Sequence, residues 1–99
     1  MFGRLHTLKT TPEQHDRGLE IVREQLLPHL RESTGFRGLI RLDNRAEGKT
    51  LVITLWADEE ALEASQEAAD RFSTLAAETS GATRLALEQY EATFFDVAP

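Results

Sequence analysis

Residues 50–56, TLVITLW, constrain this chain more than any other stretch. Successive side chains of an extended strand point to opposite faces. Leu51, Ile53 and Leu55 therefore share one face, and Val52 and Trp56 share the other with Thr50 and Thr54. Both faces are apolar, so the strand belongs inside a sheet covered on both sides. A chain of 99 residues has room for one layer of helices. The second face then needs a cover from outside the chain, and another copy of the same sheet is the simplest one. Left open, it would be a patch large enough to aggregate. A homodimer joined through the sheet face is the expected assembly.

The other segments fix the plan around this strand. Residues 2–9, FGRLHTLK, alternate as a strand. Thr11 suits a helix N-cap, Pro12 the first helical position, and Gln14 completes a capping box. Leu19, Val22, Leu26 and Leu30 recur at helical spacing, with Leu27 widening the stripe. Pro28 falls inside this helix, where it removes a hydrogen bond and should bend the last turn. The helix is expected to end near Ser33. Residues 36–43 form a second strand, joined to 50–56 by the turn chemistry of NRAEGK. Asp58 is the N-cap of a second helix, with Glu59 and Glu60 at its positive end. Its apolar face is marked by Leu62, Ala69, Phe72, Leu75 and Ala76, and it stops near Gly81. Residues 84–97 read as a long fourth strand. The order βαββαβ is the ferredoxin-like plan: an α+β fold with a four-stranded antiparallel sheet and, by right-handed crossovers, both helices on one face. One domain over residues 1–99 is expected.

Composition removes several function classes. The net charge is −6 and the basic residues are scattered among acids, so no nucleic acid partner is expected. No apolar run nears the roughly 20 residues that span a bilayer. The opening MFGRLHTLKTT has no signal-peptide core, and the chain reads as cytoplasmic, with no membrane partner. There is no cysteine, which excludes disulfides, thiolate zinc sites and a Cys nucleophile. His15 and His29 lie fourteen residues apart on one helix, roughly 21 Å at about 1.5 Å per residue. They cannot share a metal within one protomer, and no metal is expected. His15 and Asp16 read as a solvated helix face, as do Glu59, Glu63 and Glu67 at four-residue spacing. No nucleophile elbow or phosphate-binding Gly-rich loop is present.

The stretch LLPHLRESTGFRGLIRLDNRAEGKTLVITLWADEEALEAS resembles the antibiotic biosynthesis monooxygenase-like family of the dimeric α/β-barrel superfamily. The features that carry the likeness are the Pro late in helix one, the Gly-Phe opening strand two, the D…GK hairpin, the strand ending in Trp, and the acidic helix start after it. LEQYEA is similar to the family's last strand. The resemblance implies the dimeric barrel. It also implies a range of activities, since the superfamily holds cofactor-free oxygenases, haem-degrading enzymes, lactone isomerases and proteins with no known reaction. The haem-degrading relatives use an Asn on strand one, the strand-end Trp and a His on helix two. Trp56 matches, but the only Asn is Asn44, in the hairpin, and residues 58–79 contain no His. Gln66 stands near the ligand position. No cofactor is expected.

Each candidate site residue has two readings. Trp56, the only tryptophan, either plugs the core where strand meets helix or lines a pocket, as the family's matching Trp does. Thr54 on its face gives the polar and apolar mixture of a ligand cavity, and Phe72 would form its helix wall. His6 is either a hydrogen-bonded strand residue or a base or orienting group. Arg4 shares its face and suits an anionic substrate. In a sheet of order 4-1-3-2 both approach Trp56. Tyr90, the only tyrosine, is either a core aromatic or a donor to a substrate oxyanion. Arg37 and Arg41 read as rim or salt-bridge residues. The functional expectation is a cofactor-independent monooxygenase-like protein acting on a small aromatic or polyketide-like molecule, with His6 and Tyr90 catalytic and Trp56, Arg4, Thr54 and Phe72 binding substrate. The alternative is a non-catalytic homodimer that binds a small hydrophobic or aromatic ligand or is purely structural.

Overall fold

The computed structural model describes residues 1–98, without the side chains of residues 76, 77, 79 and 80. The Ala76 side chain expected on the second helix's apolar face therefore lies outside the described ones. The elements are β1 (Phe2–Lys9), α1 (Pro12–Ile21), a π-helical turn (Val22–Leu26), α2 (Leu27–Arg31), β2 (Phe36–Asn44), β3 (Lys49–Trp56), α3 (Glu59–Ala64), α4 (Gln66–Ser80) and β4 (Thr83–Glu91). The strands form one antiparallel sheet of order β2-β3-β1-β4. This is the ferredoxin-like plan, with the helices on one side.

The caps fall where the sequence placed them. Thr11 Oγ1 accepts from the Gln14 amide at 3.4 Å, and Gln14 Oε1 accepts from the Thr11 amide at 2.9 Å. Asp58 Oδ1 accepts from the Ala61 amide at 2.8 Å. Pro28 acts differently from the bend expected of it. It has no N–H to give the Glu24 carbonyl, and the turn before it widens so that the Leu27 N–H reaches Val22 O. Gly35, at φ 80°, turns the chain from α2 into β2 so tightly that a Cβ there would stand 2.5 Å from that of Ala61.

Two expected boundaries differ. The second helix is interrupted at Ser65, the C-cap of α3. The Leu62 carbonyl at the break accepts from Ser65 Oγ at 2.7 Å and from Arg4 Nη2 at 2.7 Å. The fourth strand ends at Glu91 rather than 97. It pairs with β1, and that pairing runs out at Phe2↔Glu91, followed by one bond from the Ala92 N–H to Met1 O at 2.8 Å.

The register sets which side chains face the helices. Leu39, Thr54, Arg4 and Gln89 form one cross-sheet row, and Arg41, Val52, His6 and Leu87 the next. Asp43, Thr50, Leu8 and Arg84 form a third. A bulge at Arg37 makes this possible. Phe36 pairs with Trp56 and Gly38 with Leu55, so the extra residue inverts the alternation of β2. Leu39, Arg41 and Asp43 turn toward the helices, and Ile40 and Leu42 turn away. The core joins Leu30, Trp56, Ala61 and Leu62, with Phe2, Leu26, Phe36 and Leu39 packed on them. The opposite face of the sheet carries Leu5, Leu51, Ile53, Leu55, Ile40 and Leu42. No element among the described residues covers it, and Leu42 is 51% exposed there.

Candidate functional site

Between the sheet and the helices lies a cavity of about 70 Å³ inside a cleft of about 730 Å³ that opens to solvent. The inner space has room for several waters. The enclosed part is smaller than the few hundred cubic ångströms of a typical small-molecule site, so a ligand of that size would also occupy the open cleft. Its lining is mostly apolar, and the polar groups that reach it come from β1, β3, β2 and α4.

Trp56 is both of the things its position suggested. It is 1% exposed and packs edge-on to Phe36, ring centroids 5.7 Å apart. It is also part of the cavity wall. Its indole N–H donates to Thr54 Oγ1 at 3.0 Å, which fixes the ring and satisfies a buried donor. Phe72 of α4 lines the facing wall and touches the His29 ring, centroids 5.1 Å apart.

Arg4 lies under the break between α3 and α4. Nη1 donates to Ser65 Oγ at 2.6 Å, and Nη2 to Leu62 O at 2.7 Å and Gln66 Oε1 at 3.1 Å. Burial pulls its pKa below the ordinary arginine value, opposed by Asp70. Its Nε is buried and has no partner among the described residues. His6 is two residues along on the same face. Its Nδ1 is 3.2 Å from Ser73 Oγ. Burial, then the charges of Arg4 and Arg84, push its pKa down to about 4, against the pull of Asp70. The ring is neutral at physiological pH. An imidazole that is so weak a base suits orienting a ligand by hydrogen bond better than removing its proton.

Beside this cavity is a second polar cluster that sequence reasoning missed. His15 is 1% exposed, not solvated. Its Nδ1 is 3.0 Å from Asp43 Oδ1 and 3.1 Å from Thr50 Oγ1, and its Nε2 is 3.1 Å from Thr10 Oγ1. The Thr50 hydroxyl donates to Asp43 at 2.7 Å. Arg41 donates from Nε to Asp43 at 3.3 Å and from Nη2 to the His15 carbonyl at 3.1 Å. Burial raises the Asp43 pKa, but the Thr50 and His15 hydrogen bonds and the Arg41 charge outweigh it and leave it below the usual value. Arg41 is thus a salt-bridge residue that also borders the cavity, while Arg37 is exposed at the bulge.

Of the six expected site residues, the fold brings five together: Arg4, His6, Thr54, Trp56 and Phe72. Tyr90 is not among them. It pairs with Gly3 on the other face of the sheet, is 54% exposed, and donates to Glu88 Oε2 at 2.6 Å, which raises its pKa. Ser65 and Ser73 were missed. Spaced with Ala69 and Phe72 at helical intervals, they sit on the stripe the apolar residues marked. Among the described residues no cluster of three or more His, Cys, Asp or Glu is placed to hold a metal ion. Nor does the chain fit haem through its second helical segment. α3 and α4 carry no imidazole, and Gln66 is engaged by Arg4, Asp70 and Gln89. No helix among the described residues is long and apolar enough to cross a membrane.

Residues 1–77 match the sequence pattern of the antibiotic biosynthesis monooxygenase family. The chain belongs to that family. Solved structures share the fold of this monooxygenase-family chain at low identity. SnoaB, a cofactor-independent oxygenase from Streptomyces nogalater crystallised as a mutant, aligns with a TM-score of 0.72 at 13% identity, over 95% of this chain and 94% of its own. A monooxygenase from the gene ActVA-Orf6 of Streptomyces coelicolor, in complex with nanaomycin D, aligns with a TM-score of 0.69 at 17% identity, over 99% and 91%. A dimeric ferredoxin-like protein from an uncultured marine organism aligns with a TM-score of 0.68 at 15% identity, over 98% of each chain. The sequence matches no curated protein.

Proposed function

We propose that this member of the family is a cofactor-independent monooxygenase-like enzyme whose substrate, a small aromatic or polyketide-like molecule, binds in the cavity beside Trp56. The observation that carries the reading is the convergence of Arg4, His6 and the Thr54-held Trp56 on one mainly apolar space. SnoaB and the nanaomycin-bound monooxygenase, with the same fold, support it. Trp56 and Phe72 sandwich the ligand's rings, Arg4 Nε donates to a ligand oxygen, and His6 orients the ring system. The substrate supplies all the electrons. An activated CH2 loses a proton, the carbanion adds O2, and the hydroperoxide eliminates water. One oxygen atom ends as a carbonyl and the other as water. The protein's share is a dry site and a donor for the developing oxyanion. We further place the protein as a homodimer packed through the uncovered sheet face, with residues 1–99 as one domain. The pairing of β4 with β1 ties residues beyond the matched 77 into the same sheet.

A second reading, a non-catalytic ligand-binding dimer, is favoured by the depressed pKa of His6, which makes it a poor base. One pair of measurements separates the two. A panel of polycyclic phenols is titrated against the fluorescence of the single Trp, and oxygen uptake is followed with each quencher. Quenching with uptake that falls in His6→Ala supports the enzyme. Quenching without uptake leaves the binder, and no quenching by any phenol removes both.

A further inference from the structure

The charged groups in the cavity wall are all cationic. In a chain of net charge −6, that wall carries Arg4 and Arg41 and, among the described residues, no aspartate or glutamate. Its one other titratable group, His6, is neutral at physiological pH. Arg4 enters no ion pair among the described residues, and Asp70, the acid whose charge it feels, is paired with Arg84 at 3.7 Å.

Arg41 stands apart from the ligand contacts of Trp56, Phe72, Arg4 and His6. Its side chain is only 8% exposed. Nε is held by Asp43 and Nη2 by the His15 carbonyl, while Nη1 has no partner among the described residues. Gly18 of α1 makes room for this group, since a Cβ there would stand 2.9 Å from Nη1 and 3.0 Å from Nη2. The Asp43 carboxylate that fixes the guanidinium is shared with Thr50 and His15 and is not part of the wall. The buried cluster around His15 thus sets a guanidinium at the cavity wall with one nitrogen unspent. Arg41 and Arg4 lie two strands and one cross-sheet row apart. At about 4.8 Å between strands and about 3.4 Å per residue, their Cα atoms are roughly 12 Å apart.

We infer that the cavity selects an organic anion: a flat ring system that sets a carboxylate on Arg41 Nη1 at one end and an oxygen on Arg4 Nε at the other. The inference rests on the cavity reading above and narrows its substrate class to acids. A carboxylate is ionised at pH 7. It supplies the negative charge that the wall lacks and meets no acid there to repel it. An N–H donated to an ionised acceptor is roughly twice as strong as one donated to a neutral oxygen. Asp43 is the positioning residue, holding the guanidinium plane in place without touching the ligand.

Calorimetry on the unaltered protein tests the charge directly. 6-Hydroxy-2-naphthoic acid, its carboxamide and 2-naphthol share one ring outline and differ at the end meant for Arg41. At pH 7 the acid is expected to bind at least about tenfold tighter than either neutral probe. Arg41→Gln removes the cation and should bring the three affinities within about threefold of one another. Circular dichroism checks the fold of that variant. Should it not fold, a crystal structure of the unaltered protein with the acid takes its place. A carboxylate within hydrogen-bonding distance of Arg41 Nη1 supports the inference, and a carboxylate at Arg4 or at the mouth of the cleft overturns it. Equal binding of all three probes, or an acid preference that Arg41→Gln keeps in full, ends this inference and leaves the cavity reading in place. Binding by none of them overturns it as well, and the cavity reading then stands or falls on the panel of phenols.

Discussion

The depressed pKa of His6 predicts a specific loss of stability on mild acidification. In the folded chain His6 protonates at about 4, against 6.5 for a free histidine. Protons therefore favour the unfolded chain. The folded state is unaffected above pH 6.5, loses stability as pH falls through 6.5, and stops losing it below about 4. A shift from 6.5 to about 4, at about 1.4 kcal/mol per unit, is a penalty of roughly 3 kcal/mol at the acid end and about 2 kcal/mol between pH 7 and pH 5. For a domain of this size the latter lowers Tm by roughly 10 °C. The perturbation is His6→Gln, which retains a hydrogen-bonding side chain beside Ser73 and does not titrate in this range. Urea unfolding of both proteins is followed from pH 7.5 to 4 at one protomer concentration, since association also shifts the midpoint. Contributions from the carboxylates are common to both and cancel in the difference. The unaltered protein should lose about 2 kcal/mol more than the variant from pH 7 to 5. Parallel curves, or a His6 ring proton titrating near 6.5 by NMR, would refute the reasoning.

Three further outcomes follow from the same geometry. Thr54→Val strands the buried indole N–H of Trp56 and should cost roughly 1–3 kcal/mol. The urea midpoint would fall at unchanged slope, and an unchanged midpoint would remove this hydrogen bond from the account. Asp43→Asn takes the charged acceptor from His15, Thr50 and Arg41. It should cost roughly 1–3 kcal/mol at pH 7. Because Asp43 titrates below its usual value when folded, its contribution is present above that value and lost as pH falls beneath it. The stability curve of the variant should therefore be flatter below about pH 4. Leu42→Glu places a charge on the uncovered sheet face and should disrupt the proposed dimer, read as a monomer in sedimentation, while leaving the circular dichroism of the fold intact.

Much of the fold was legible because it depends on local signals. The capping box at Thr11, the N-cap at Asp58 and the alternation of residues 50–56 each act within a few residues, and each led to an element of the right kind. Trp56, Thr54, Arg4 and His6 could be put on one face because the strand period is two and the sheet order follows from the element order. What was hidden depends on partners distant in sequence. The bulge at Arg37 inverts half of β2, so the sequence pattern alone would have misdirected Asp43, and with it the partner that draws His15 inside. The helix break at Ser65 needs a guanidinium sixty-one residues away to satisfy it. The fourth strand was overextended because its pattern continues past Glu91, whereas pairing depends on where β1 begins. Tyr90 was placed by strand and not by face, and one residue of register decides which side of a sheet a side chain serves.

Arg4 also bears on which molecules the cavity can tell apart. Its Nη atoms are committed to the helix break, while Nε faces no acceptor among the described residues. In the proposed complex, a ligand oxygen drawn up to Nε supplies the acceptor that it lacks. A hydrocarbon of the same outline leaves a buried donor unmatched, at roughly 1–3 kcal/mol, or about 5- to 150-fold in affinity. Apolar walls alone accept any flat ring system that fits. In the site proposed above, this one guanidinium nitrogen would favour rings that already carry oxygen over those that do not.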